Sequence, residues 1–128
     1  MTNEKEKILI ADDEEQLRVI ESMIFGDAFP QFEVESFSDG TSLEKRLTED
    51  IGNVRLVVTD NNMPGITGSE IIEKYAKRPE YAGLKFILAY AGDDKIGKRA
   101  VENGAFSFIQ KPADLDTYLD VARKALNL

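Results

Sequence analysis

Val54-Arg55-Leu56-Val57-Val58-Thr59-Asp60-Asn61-Asn62-Met63-Pro64-Gly65-Ile66-Thr67-Gly68-Ser69-Glu70 changes its hydrophobic period part-way along. Val54 to Thr59 reads as an apolar strand, Asn61-Asn62 and Pro64-Gly65 as loop and turn, and Thr67 with Glu70 as a capping box. The helix so opened runs to about Lys77, with Ile71, Ile72 and Tyr75 turned inward. The same succession recurs on both sides. Upstream, Lys7 to Ala11 is a strand, followed by a helix from Glu14 to Ile24 with Leu17, Ile20 and Ile24 at helical spacing. Glu33 to Phe37 is the next strand, and Thr41 with Glu44 reads as a second capping box for a helix to about Glu49 carrying Leu43 and Leu47. Downstream come strand Lys85 to Tyr90, helix Asp93 to Asn103 stopped at Gly104, and strand Phe106 to Ile109. A last helix, Asp114 to Leu126, sets Leu115, Leu119, Ala122 and Leu126 on one face.

Strands that are apolar on both faces and separated by helices form a parallel sheet covered on both sides. Five such units in 128 residues suit an α/β, doubly wound, five-stranded sheet of flavodoxin-like type, order 2-1-3-4-5, rather than a closed eight-stranded barrel. No internal linker or repeat interrupts residues 1–128, so a single domain with no effector domain in the chain is expected. Sites on this architecture lie beyond the carboxyl ends of the strands.

Composition narrows the chemistry. Sixteen Lys and Arg against 24 Asp and Glu leave a net charge of −8, which disfavours nucleic acid and anionic membrane as direct partners. There is no Cys, hence no disulfide, thiolate nucleophile or cysteine metal site. There is no His, so Ser-His-Asp catalysis, His-ligated metals and phosphohistidine are excluded within the chain. The opening MTNEKEK lacks the apolar stretch of a signal peptide, and the longest apolar run, Phe86 to Ala91, is far short of the ~18 residues of a membrane span. The protein reads as cytoplasmic.

Charged side chains gather at the expected strand ends. Asp12 and Asp13 follow the first strand, Asp60 the third and Lys111 the fifth, while Tyr90 ends the fourth. Carboxylates in one pocket repel unless a cation neutralises them, and an oxygen-only set suits Mg2+. A metal, an ammonium and an available carboxylate favour phosphoryl chemistry. Taken singly, each residue has a structural use: Asp12 and Asp13 at a helix N-terminus, Asp60 at a turn, Lys111 on the surface, Tyr90 and Phe108 in the core.

The segments Ile8-Leu9-Ile10-Ala11-Asp12-Asp13-Glu14, Val57 to Gly68, and Gly104-Ala105-Phe106-Ser107-Phe108-Ile109-Gln110-Lys111-Pro112 together resemble the receiver domain of two-component response regulators. The resemblance implies that Asp60 is the phosphoacceptor and that Asp12 and Asp13 hold Mg2+, Asp13 ligating directly, with the backbone carbonyl of Asn62 completing the set. It implies that Lys111 bridges the phosphoryl group, that the Lys111–Pro112 peptide is cis, and that a histidine kinase or histidine phosphotransfer protein donates in trans. Output would pass through the fourth helix, fifth strand and fifth helix to an effector protein or a second copy. Catalysis would extend only to the domain's own phosphorylation and dephosphorylation.

The fourth strand departs from the family pattern. Tyr90 stands where a Ser or Thr switch hydroxyl is usual, and Phe108 where a Tyr is common. We expect Tyr90 and Phe108 to compete for one space beside the fourth helix, which Gly97 weakens by about 1 kcal/mol relative to Ala. Asn62 and Gly92 hold the two positions that, by resemblance, tune water attack on the acyl phosphate, and Gly92 gives no side-chain cover, which implies a short-lived phosphoform unless Tyr90 shields it. The alternative is a pseudo-receiver scaffold in which Tyr90 impairs phosphorylation. An aspartyl-phosphate hydrolase fits less well, since Asp12-Asp13-Glu14 lacks a DxD pattern, and an acidic first loop argues against flavin phosphate.

Overall fold

The computed structural model describes residues 5–128. The reading of the polar start as lacking a signal sequence falls in part on residues 1–4, outside the described residues. Five parallel strands, β1 (Glu6–Ala11), β2 (Phe32–Phe37), β3 (Val54–Asp60), β4 (Lys85–Tyr90) and β5 (Ser107–Gln110), make one sheet in the order β2-β1-β3-β4-β5. Helices α1 (Glu15–Ala28), α2 (Gly40–Leu47), α3 (Gly68–Tyr75), α4 (Asp94–Glu102) and α5 (Leu115–Ala125) alternate with them. The doubly wound α/β architecture expected from the sequence is the one observed.

The period of two along each strand sends alternate side chains into two separate cores. Ile8, Ile10, Leu56, Val58, Ile87 and Ala89 meet Phe25 of α1 and Tyr118 and Ala122 of α5. Leu9, Ala11, Val57, Phe86 and Leu88 meet Leu43 and Leu47 of α2, Ile71 and Ile72 of α3 and Ala100 of α4. Both faces being buried is why the strands read as apolar runs. Among the described residues, no helix is long and apolar enough to cross a membrane.

Three local expectations need correction. In α1 the buried positions are Glu21 and Phe25; Ile20 is exposed and Leu17 and Ile24 only half-buried. The helix is rotated because Phe25 stacks edge-on to Phe29, and Phe29 to Phe32, at ring separations of 5.9 and 6.5 Å. In α2 the cap is Asp39, whose side chain accepts from the Ser42 N–H at 2.7 Å, so Thr41 and Glu44 form no box. Glu44 instead accepts from Lys74 and the Tyr75 hydroxyl of α3. In α5 Tyr118, Ala122 and Ala125 are buried, with Leu115, Leu119 and Leu126 at the margin. The Thr67/Glu70 capping box of α3 is present in full. A short 3-10 turn, Pro79–Tyr81, lies before β4 and has no counterpart in the sequence periodicity.

Candidate functional site

The carboxyl ends of β1, β3 and β5 bring Asp12, Asp13, Asp60 and Lys111 together. Asp12 follows β1 and is buried; its N–H donates to the Phe37 carbonyl at 3.0 Å, and its Oδ1 accepts from the Glu14 N–H at 2.9 Å. Those bonds, and the Arg18 guanidinium on its backbone carbonyl at 2.9 Å, fix the loop before α1. Asp13 beside it is exposed. Asp60 ends β3 with its Oδ1 accepting from the Asn61 N–H at 2.9 Å. Carboxylate oxygens of Asp12, Asp13 and Asp60 all lie within 4.8 Å of one another. Lys111 extends from the end of β5 to place Nζ 3.4 Å from Asp60 Oδ1. Its backbone N–H donates to the Tyr90 carbonyl at 2.9 Å, and the Lys111–Pro112 peptide is cis.

Two carboxyls are pushed above their ordinary range. Burial raises Asp60; the Lys111 ammonium opposes that rise and the Asp12 charge adds to it. Glu21 of α1 is pushed up to about 8, first by burial and then by the charge and hydrogen bonding of Asp12. One ammonium therefore does not offset the carboxylates it faces. An oxygen-only cluster left with uncompensated charge has the donor set of a hard divalent cation.

Neighbouring residues shape the rim. Asn61 is buried and holds the loop after β3 to α3: its Oδ1 accepts from the Ser69 N–H at 2.9 Å, and its backbone N–H donates to the Ala89 carbonyl at 3.1 Å. Asn62 is exposed in the same loop. Tyr90 ends β4 half-buried, its ring lying over Gly92, where an added Cβ would sit 3.0 Å from the phenol oxygen. Phe108 is also half-buried, its ring seated on Gly97 of α4, where an added Cβ would lie 2.1 Å from Cδ2. In this conformation the two rings rest on different glycines while both pack against the same core. Gly97 serves as a notch for Phe108 rather than only as a weak point of α4.

Sequence reasoning missed Glu21 and Tyr118. Glu21 lies one helical turn before Phe25, and that spacing was the available signal; taking Leu17, Ile20 and Ile24 as the inward stripe concealed it.

With this geometry in hand, the comparison with known proteins is direct: residues 8–123 match the family of response regulator receiver domains. The chain belongs to this family. Receiver domains are signalling modules of two-component systems and generally bind Mg2+ at an acidic pocket. The chain is 28% identical over 124 residues to sporulation initiation phosphotransferase F of Bacillus subtilis, covering 96% of this chain and 95% of that protein. It is 31% identical over 117 residues to a probable chemotaxis protein CheY of Rhizobium etli, covering 88% and 86%. A receiver domain structure from Clostridium thermocellum superposes with a TM-score of 0.84 at 24% identity, covering 95% of this receiver and 94% of that chain. Other relatives are much longer. This receiver spans 28% of the cyclic di-GMP phosphodiesterase response regulator RpfG of Xanthomonas campestris and 25% of the C4-dicarboxylate transport transcriptional regulatory protein DctD of Pseudomonas aeruginosa.

Proposed function

We propose that this receiver accepts a phosphoryl group on Asp60 from a phosphohistidine of a histidine kinase or histidine phosphotransfer protein. The observation that carries the reading is the meeting of three carboxylates within 4.8 Å, one of them 3.4 Å from Lys111. An Asp60 carboxylate oxygen attacks phosphorus, the donor's P–N bond breaks, and an acyl phosphate forms as the imidazole leaves. Lys111 stabilises the charge on the transferred oxygens. Asp12, Asp13, Asp60 and the Asn62 backbone carbonyl would hold Mg2+, which when bound offsets the negative charge of the pocket and the phosphoryl group. Asn62 and Gly92 flank the route of hydrolytic water, and the Lys111–Pro112 segment aims the lysine.

The reading assigns residues 1–128 to one receiver domain in the cytoplasm, signalling through α4, β5 and α5 to an effector protein or a second copy, without direct contact to nucleic acid or membrane. Tyr90 and Phe108 are the proposed switch residues. The Tyr90 ring over Gly92 is the observation that favours a second reading, a pseudo-receiver scaffold in which phosphorylation is impaired. Intact mass after incubation with acetyl phosphate and Mg2+ separates the two. A gain of one phosphoryl group that is absent in Asp60→Asn supports phosphoacceptance; no gain in the wild type supports the scaffold.

A further inference from the structure

Asn61 stands between Asp60 and Asn62, two of the residues assigned to the cation, and is only 5% exposed. An amide withdrawn from water needs partners at both of its polar ends. Asn61 Oδ1 accepts from the Ser69 N–H at 2.9 Å, and Nδ2 donates to Asn62 Oδ1 at 3.3 Å. Its backbone is tied as well. The carbonyl accepts from the Gly68 N–H at 3.1 Å, and the N–H is shared between the Ala89 carbonyl at 3.1 Å and Asp60 Oδ1 at 2.9 Å. Gly68 and Ser69 are the first two residues of α3, so Asn61 takes two of the N–H groups that a helix start leaves without intrahelical partners. Thr67 takes the next, that of Glu70, at 3.2 Å. A Cβ on Gly68 would lie 2.4 Å from the Asp60 carbonyl oxygen, so α3 starts directly against the backbone of Asp60. Capping alone does not call for this arrangement, because Thr67 and Glu70 already form a complete box. The Asn61 amide instead reaches back across the loop and joins the end of β3 to the start of α3.

Resting on the reading of Asp12, Asp13 and Asp60 as a divalent-cation site, we propose that Asn61 is a positioning residue for it: its amide clasps the base of the β3–α3 loop and so fixes Asp60 and the Asn62 peptide for the cation. The bond to Ser69 anchors the backbone unit whose N–H holds Asp60 Oδ1 and whose carbonyl leads directly into Asn62. Among the described residues, the two donors to the Asp60 carboxylate, this N–H and Lys111 Nζ, both fall on Oδ1. A loosened loop would let that carboxylate turn, and Mg2+ demands near-ideal placement of its oxygens. Groups that orient metal ligands typically change affinity roughly 10- to 100-fold when removed. The chemistry of the position favours an amide. An Asp would add a carboxylate to a pocket already rich in them, and an apolar residue would leave the Ser69 N–H unpaired.

Calorimetric titration of the full chain with Mg2+ tests this. Asn61→Leu keeps the shape of the side chain but removes both polar ends, and Mg2+ binding weakens by roughly tenfold or more. Ser69→Pro deletes the same hydrogen bond from the donor side, in a first helical turn where proline is tolerated; it gives the same loss and serves if the Leu variant folds poorly. Because both substitutions cut one bond, the double variant loses no more than either alone. Tyr81→Phe is the comparison for general loosening: it removes a buried hydrogen bond to the Leu47 carbonyl, away from the site, and leaves Mg2+ affinity at the wild-type value. In amide hydrogen exchange, the Ser69 N–H of Asn61→Leu exchanges faster than in the wild type while the amides of β1 keep their protection. Wild-type affinity in folded Asn61→Leu or Ser69→Pro, losses that add in the double variant, or an equal loss in Tyr81→Phe overturns the role of Asn61 and leaves the cation site standing. No Mg2+ binding by the wild type, or undiminished binding by Asp13→Asn with Asp60→Asn, overturns the cation site and this proposal together.

Discussion

Replacing Gly97 by Ala tests the packing of α4 against β5. An added Cβ would lie 2.1 Å from Phe108 Cδ2 and 2.4 Å from Cε2 and Cγ. Carbon atoms pack at about 3.5–4.0 Å, so the ring or the helix must retreat by about 1.5 Å. Overpacking of this kind costs about 1–3 kcal/mol, while Ala gains about 1 kcal/mol over Gly within a helix. Gly97→Ala alone should therefore lower stability by about 0–2 kcal/mol. Once Phe108→Ala removes the ring, the obstruction is gone and the same substitution should raise stability by about 1 kcal/mol. The coupling in the double-mutant cycle is thus about 1–3 kcal/mol. Urea unfolding followed by far-UV circular dichroism on the four proteins measures it. If Gly97→Ala shifts stability equally in both backgrounds, the notch has no energetic content and α4 is not held to β5 through Phe108.

Two further outcomes are expected. With the cation chelated, the raised Glu21 carboxyl means that the folded state holds its proton more tightly than the unfolded chain does. Its contribution is fully present below the ordinary value of 4.5 and is lost as pH rises toward about 8, so wild-type stability should fall across that window relative to Glu21→Gln, by a few kcal/mol at most. Urea melts between those pH values, in chelator, read the slope; parallel curves for the two proteins refute it. Tyr81→Phe removes the hydroxyl that donates to the Leu47 carbonyl at 2.7 Å in a buried position, and should cost about 1–2 kcal/mol in the same melts.

Much of the site was legible because a parallel sheet converts chain order into position. Every strand runs the same way, so acids that follow apolar runs arrive at one edge, and Asp12, Asp13, Asp60 and Lys111 needed only that rule to be grouped. Helix caps were legible where side chain and backbone lie within a few residues, as at Thr67 and Glu70. The cap of α2 was not, since Asp39 and Thr41 both suit the role. Asp39 takes it, and Glu44 is drawn across to Lys74 and Tyr75 of another helix.

The sequence by itself determined the α/β alternation, the doubly wound sheet and the collection of charge at its carboxyl edge, because strands buried on both faces and locally capped helices leave unambiguous short-range patterns. Only the tertiary structure decided which side of α1 turns inward, that Glu21 lies beside Asp12, and that Phe108 settles on Gly97 while Tyr90 covers Gly92. Periodicity says which residues share a helix face. When one helix offers two usable faces, the shape of the surface it docks against selects between them.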